Sequence, residues 1–261
     1  MKRPLLALAC LLALPLHAAG WTDSAPVAEL FRQAGVTGTF VLHDPATGQD
    51  TGHDRERAHQ RFTPASTFKI ANALIGLSLG AVRDADEALP YRGPPRPFNP
   101  AWARDMGLGE AMPLSNVPIF QELARRIGPE RMRQGIARLG YGNGEIGDQV
   151  DSFWLGGPLR ISAAEQTRLL AALARGALPF PAEAQRAVRD ILLLEHGAGW
   201  KLYGKTGWQN APGPGVGWWV GWLERDGRIH AFALNMDMGG AADAPKRMEL
   251  GKASLRALGL F

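Results

Sequence analysis

The chain changes character after His196. Residues 200–206, 216–224 and 228–236 read as three strands, with Asp226-Gly227 as a two-residue hairpin turn between the last two. One more strand, Thr39-Phe40-Val41-Leu42, stands near the other end and stops at Asp44-Pro45. Between them the apolar spacing is helical: 66–79, 117–127, 129–139, 162–175 and 181–195. A further helix starts at Ser24, with Val27, Leu30 and Phe31 on one face and Gly35 as its stop, and a closing helix runs from about Pro245 to Leu258. Strands at both ends with helices between them imply an α+β fold. One antiparallel sheet is formed from both chain ends and flanked by the terminal helices, and a central all-helical lobe stands beside it. The sheet lobe takes about 21–62 and 197–261 and the helical lobe about 63–196 of a single domain, 21–261. A ligand is expected at the seam between the lobes. Residues 90–100 carry Pro90, Pro94, Pro95, Pro97 and Pro100 and read as an irregular surface segment.

Residues 1–20 have the three parts of a secretory signal: Lys2 and Arg3, an apolar stretch from Leu5 to Leu16, and the small-residue exit Ala18-Ala19-Gly20. The stretch is too short to span a bilayer, and nothing later is apolar over that length, so a soluble, periplasmic product released from a cleavable signal is expected. The single cysteine, Cys10, loosely fits a lipoprotein site, but the apolar run continues past it to Leu16. Once the signal is removed the chain has no cysteine, which excludes disulfides and thiol catalysis. The net charge is +4, including Lys2 and Arg3, and charges of both signs are interspersed without a basic stripe. No nucleic-acid partner is expected. The histidines, at 17, 43, 53, 59, 196 and 230, lack metal-ligand spacing, so no metal is expected either. Oligomeric state is not encoded in any of these signals.

The chemistry begins at Ser66-Thr67-Phe68-Lys69, at a helix start. Residues three apart on a helix share a face. A serine hydroxyl needs an adjacent base to act as a nucleophile, and a lysine serves only if desolvation suppresses its charge. Phe68, Ile70, Ala71 and Ala73 are suitably apolar. The pair alone is a common coincidence, since serine often caps helices. Two later elements add to it: Ser115-Asn116-Val117, and Lys205-Thr206-Gly207 at the end of a predicted strand, where Gly207 would let a ligand approach the backbone. S-x-x-K, S-x-V and K-T-G in this order form the serine acyl-transfer signature of penicillin-recognising enzymes.

Over essentially its whole mature length the sequence resembles the class D (OXA-type) serine β-lactamases, and hence the serine β-lactamase/penicillin-binding transpeptidase fold. Tyr141-Gly142-Asn143, Phe153-Trp154-Leu155-Gly156-Gly157-Pro158-Leu159 and Gly217-Trp218-Trp219-Val220-Gly221-Trp222 match further motifs of that family. Arg247 follows Asn235-Met236-Asp237 where the family carries a substrate-binding arginine. The resemblance implies hydrolysis of a small-molecule β-lactam through an acyl-enzyme on Ser66. Lys69, N-carboxylated by carbon dioxide or bicarbonate, would be general base for acylation and deacylation, with no other cofactor. Trp154 would hold the carbamate and Val117 would wall it from water. Ser115 would relay a proton to the lactam nitrogen. Lys205, Thr206 and Arg247 would take the substrate carboxylate, while the backbone N–H groups of Ser66 and Trp208 form the oxyanion hole. Tyr141 and Asn143 would shape the pocket floor. The second motif is S-N-V, not S-D-N, and no E-x-x-L-N segment supplies a glutamate base; Glu165 lacks the asparagine after it. Two other readings share the nucleophile: a penicillin-sensing domain that acylates once, and a D-alanyl-D-alanine peptidase. The loops at about 90–105 and 208–215, with Pro94-Pro95 and Pro212-Gly213-Pro214-Gly215, are expected to set the substrate range.

Overall fold

The computed structural model describes residues 20–210 and 215–261. The secretory-signal reading, apart from Gly20, and the segment Pro212-Gly213-Pro214 lie outside the described residues. The chain enters with β1 (Trp21–Asp23) and α1 (Ala25–Ala34). Ser24 caps α1 by accepting from the Val27 N–H, and Gly35 ends it in the left-handed region at φ 61°. β2 (Gly38–Asp44), β3 (Gln49–His53), α2 (Arg55–His59) and the two-residue β4 (Arg61–Phe62) follow. A 3₁₀ turn, Ala65–Phe68, runs directly into α3 (Lys69–Ser78). Residues Lys69 to Gly76 of α3 are all buried, so this helix is the axis of the helical region rather than a surface element. Around it lie α4 (Leu108–Leu114), α5 (Val117–Ile127), α6 (Pro129–Leu139) and, beyond the short β5 (Ile161–Ser162), α7 (Ala163–Ala174) and α8 (Ala182–Asp190). The proline-rich stretch is irregular, with only a 3₁₀ turn at Pro100–Trp102.

The second half of the sheet comes from β6 (Leu193–Gly197), β7 (Trp200–Gln209), β8 (Gly215–Arg225) and β9 (Arg228–Met238), and α9 (Lys246–Ala257) closes the chain. The strand order is β1-β3-β2-β9-β8-β7-β6, so both chain ends build one seven-stranded sheet, as expected. The Asp226-Gly227 turn is also as expected: Arg225 pairs with Arg228, and both turn residues have positive φ, 49° and 76°, as a right-twisted two-residue hairpin requires.

The sequence reading needs three corrections. The helix expected over 181–195 stops at Asp190, and Leu193–Gly197 pairs antiparallel with β7 instead. Ile191-Leu192-Leu193-Leu194 is a short apolar run that fits helix or strand, and the unpaired edge of β7 decides it. The sheet is not wholly antiparallel, because β1 runs parallel to β3. The K-T-G strand does not end at these residues; β7 continues through them to Gln209.

Alternation along β8 and β9 divides the apolar residues between two cores. Trp218, Val220, Trp222, Ala231 and Ala233 face the helical region, with Phe68, Leu170 and Trp154. Trp219, Leu223, Phe232, Leu234 and Met236 face the terminal helices, with Val27, Phe31, Leu250 and Leu255. Coverage of both faces accounts for the nearly continuous apolar run in β8. α9 lies close on the sheet because of Gly251, where an added Cβ would stand 2.1 Å from the Trp219 ring. Gly251→Ala is therefore expected to lower stability by about 1–3 kcal/mol through overpacking. An unchanged denaturation midpoint would show that α9 has room to shift.

Candidate active site

In a 3₁₀ turn residues three apart eclipse one another. Ser66 and Lys69 stand at opposite ends of such a turn, and Lys69 Nζ donates to Ser66 Oγ at 2.7 Å. The turn opens at Ala65 with φ 48°, a conformation an L-residue adopts only where its surroundings hold it. Ser66 is half-buried, whereas Lys69 has no exposed surface at all. The Phe120 ring lies 5.6 Å from Lys69 Nζ, and Asn72, one turn along α3, donates to the Phe120 carbonyl at 2.9 Å. Trp154 stacks on Phe68 at 5.3 Å; it is fully buried, and its indole Nε1 has no hydrogen-bond partner.

Ser115 ends α4 in the left-handed region at φ 55°, and the N-cap of α5 is Asn116, which accepts from the Ile119 N–H at 3.3 Å. The capping role open to Ser115 thus falls to its neighbour. The Ser115 hydroxyl is left facing Lys205, whose Nζ donates to it at 2.9 Å and to the Thr206 carbonyl at 2.9 Å. From α9, Arg247 reaches back to β7 and donates to the Gly207 carbonyl at 2.7 Å. Gly207 does more than line the cleft. An added Cβ would stand 3.0 Å from the Pro64 carbonyl oxygen and from Thr67, so the missing side chain lets β7 lie against the nucleophile turn.

Ser66, Ser115, Val117, Thr206, Gly207, Trp208 and Arg247 line one cleft of about 360 Å³. Lys69, Lys205 and Trp154 lie behind its wall. Tyr141 and Asn143 do not line it, contrary to the expectation of a pocket floor. Tyr141 is buried edge-on against Phe68, and Asn143 clamps the following loop by donating to the Pro158 carbonyl and accepting from the Arg160 N–H. Sequence reasoning missed the aromatic mouth. Phe98, 81% exposed, stands 6.2 Å from Trp102 and 6.4 Å from Trp208, ring centre to ring centre, bridging the proline-rich segment and β7. Its signal was an aromatic residue in a segment of five prolines, but nothing local aims it at the cleft. A larger depression, about 430 Å³, lies at the Asp226-Gly227 end of the sheet and holds charged surface groups without a nucleophile–base pair. No cluster of potential metal ligands occurs among the described residues.

A family model for the penicillin binding protein transpeptidase domain matches residues 38–256. The chain is 39% identical over 230 residues to the β-lactamase OXA-48 of Klebsiella pneumoniae, covering 88% of this chain and 86% of that one. It is 35% identical over 257 residues to the β-lactamase OXA-10 of Pseudomonas aeruginosa, covering 97% and 96%. The crystal structure of FUS-1 (OXA-85), a class D β-lactamase from Fusobacterium nucleatum subsp. polymorphum, superposes with a TM-score of 0.89 at 41% identity, over 92% of this chain and 100% of that one. The chain belongs to the class D β-lactamases.

The electrostatics of this class D site centre on its two lysines. Burial holds the Lys69 amine well below the usual lysine range, and the nearby Lys205 charge pushes it the same way. Burial, with Arg247 adding to it, lowers Lys205 to about 7. Burial pushes the Tyr141 phenol up, which removes it as a base at neutral pH. Among the described residues no carboxylate lines the cleft; Glu165 instead completes the capping box of α7 and pairs with Arg61.

The folded-state pKa of Lys69 lies below its unfolded value, so between the two the unfolded chain binds the extra proton and stability rises with pH. In CO2-depleted buffer near pH 7, Lys69→Met is expected to be more stable than the parent by about 0.5–2 kcal/mol. That advantage shrinks as pH approaches the ordinary lysine value of 10.5. Urea denaturation at both pH values checks this, and a pH-independent difference would contradict the burial account.

Proposed function

We propose that this β-lactamase opens its substrate by acyl transfer to Ser66 Oγ, with a base built on Lys69. The observation that carries the reading is the water-free Lys69 amine 2.7 Å from a half-buried serine hydroxyl. An amine held neutral by burial can accept the serine proton, and only a neutral amine reacts with carbon dioxide. One buried donor is available to such a modification. Trp154 Nε1 is a buried donor without an acceptor, an arrangement that costs about 1–3 kcal/mol unless something fills it. Carboxylation of Nζ supplies an anionic oxygen base beside Ser66, and Trp154 would donate to it. The neighbouring Lys205 charge favours such an anion.

The remaining residues divide the work. Thr206 and Arg247 line the cleft and would receive the substrate carboxylate, the guanidinium through the edge that does not bond the Gly207 carbonyl. Lys205 sits behind them, holding Ser115 with its hydroxyl proton free for the departing lactam nitrogen. The Ser66 and Trp208 N–H groups would stabilise the carbonyl oxygen as charge develops on it. Val117 shields the Lys69 side of the cleft. Release of the acyl group needs water activated at the same base. For the sequence's secretory signal we propose export to the periplasm. Among the described residues no helix is long and apolar enough to cross a membrane.

Purified protein mixed with a chromogenic cephalosporin is expected to turn over many equivalents; a single stoichiometric burst would replace this reading with that of a penicillin sensor. Activity of CO2-depleted enzyme should fall as the pH is lowered, which favours the protonated Lys69, and recover in part with bicarbonate. No response to bicarbonate, together with normal deacylation by Lys69→Ala, would eliminate the carboxylated base. Trp154→Ala should accumulate acyl-enzyme visible as a mass adduct, and its rapid clearance would count against the indole's role.

A further inference from the structure

The strained residue before the nucleophile is held from three sides by buried groups. Trp218 on β8 donates through Nε1 to the Thr63 carbonyl at 2.9 Å. Gly207 on β7 packs against the Pro64 carbonyl oxygen. The third hold comes from α7: Gln166 Nε2 donates to Thr67 Oγ1 at 2.8 Å, and that hydroxyl donates onward to the Pro64 carbonyl at 2.7 Å. The Thr67 N–H bonds the same carbonyl at 3.2 Å. Gln166 and Thr67 are each 1% exposed, so water cannot replace either partner.

We propose that Gln166 and Thr67 are positioning residues for acylation: their relay fixes the Pro64 carbonyl and so holds Ala65 at φ 48° with Ser66 Oγ in line with Lys69. The direction of the bonds supports this. The glutamine amide can only donate through Nε2, so the threonine hydroxyl accepts there and spends its single proton on Pro64. The Pro64 carbonyl thus receives two donors from Thr67, one residue beyond the nucleophile. Loss of either would let the peptide planes on both sides of Ala65 rotate toward an unstrained conformation and carry Ser66 with them. Neither side chain lines the cleft, so substrate recognition by Thr206 and Arg247 is left intact. The proposal rests on Ser66 being the nucleophile.

The test measures single-turnover acylation by a fluorescent penicillin in Gln166→Leu, Thr67→Val, Thr67→Ser and the double variant Gln166→Leu/Thr67→Val, with Ser66→Ala as control. The first two are expected to acylate roughly 10–100-fold more slowly, as a misplaced nucleophile does. Their dissociation constant for the non-covalent complex should stay within about twofold of the parent. Thr67→Ser keeps the hydroxyl relay and should stay near the parent rate. The double variant should be no slower than the slower single one, because the two residues act as one unit. Parent-like acylation by folded Gln166→Leu, equal loss in Thr67→Ser and Thr67→Val, or losses that multiply in the double variant would overturn the proposal. So would failure of both Gln166→Leu and Thr67→Val to fold, since the relay would then serve the fold and not the nucleophile. Adduct formation by Ser66→Ala at the parent rate would instead refute the nucleophile assignment itself.

Discussion

Lys69 is an amine without exposed surface, beside the Phe120 ring and with a serine oxygen at 2.7 Å. A charged ammonium in such a place would cost far more than a neutral one, so burial, with Lys205 adding to it, pushes the amine well below the usual lysine range. The rest of the site depends on this desolvation. It goes with an α3 that is buried on all sides from Lys69 to Gly76 and with an aromatic cluster around Phe68, which precedes it. The stability lost by burying an amine and an orphan donor is the usual cost of a reactive site.

The fold brings four separate parts of the chain to the cleft in front of that amine. The nucleophile turn starts the helical axis; Ser115 stands at the corner between α4 and α5; K-T-G runs along β7; Arg247 crosses from α9. The sheet acts as the datum. β7 lies directly on the nucleophile turn where Gly207 has no side chain, and β8 reaches the same turn through the Trp218 indole. Because the turn is pinned to strands, a backbone strained at Ala65 persists where an isolated turn would relax. The lysine chain then continues outward, with Lys205 bonded to Ser115 and Arg247 bonded to the Gly207 carbonyl. Two basic groups, Lys205 and Arg247, therefore converge on a cleft that no carboxylate lines among the described residues, an arrangement suited to an anionic substrate.

Much of this was legible beforehand. Strand patterns at both ends gave the single sheet, Ser24 and Gly35 gave the limits of α1, and Asp226-Gly227 gave the hairpin. Ser66, Ser115, Thr206 and Arg247 were recognisable from motif order and do meet in one cleft. The reading failed where local signals were ambiguous. Ile191-Leu192-Leu193-Leu194 suits a helix as well as a strand, and β3, with Gln49, Asp50 and His53, is too polar to announce itself. Phe98 could not be placed because proline fixes φ without fixing where a loop points. Gln166 was passed over as the residue after Glu165, although it touches the nucleophile turn from ninety-nine residues away.

The sequence by itself determined which groups were available and the local geometry that pairs Ser66 with Lys69, since i,i+3 spacing in a helical turn depends on the backbone alone. It also determined the two-sided sheet, because nearly continuous apolar runs in β8 and β9 put apolar side chains on both faces of the pleat. Only the tertiary structure decided the lowering of the Lys69 pKa, since that follows from how completely distant segments bury the amine. The same holds for Lys205 reaching Ser115 from behind the cleft and for the relay from Gln166, which join residues that share no local segment. Local chemistry is written in neighbouring residues, whereas solvent exclusion and long-range hydrogen bonds exist only once the chain has packed.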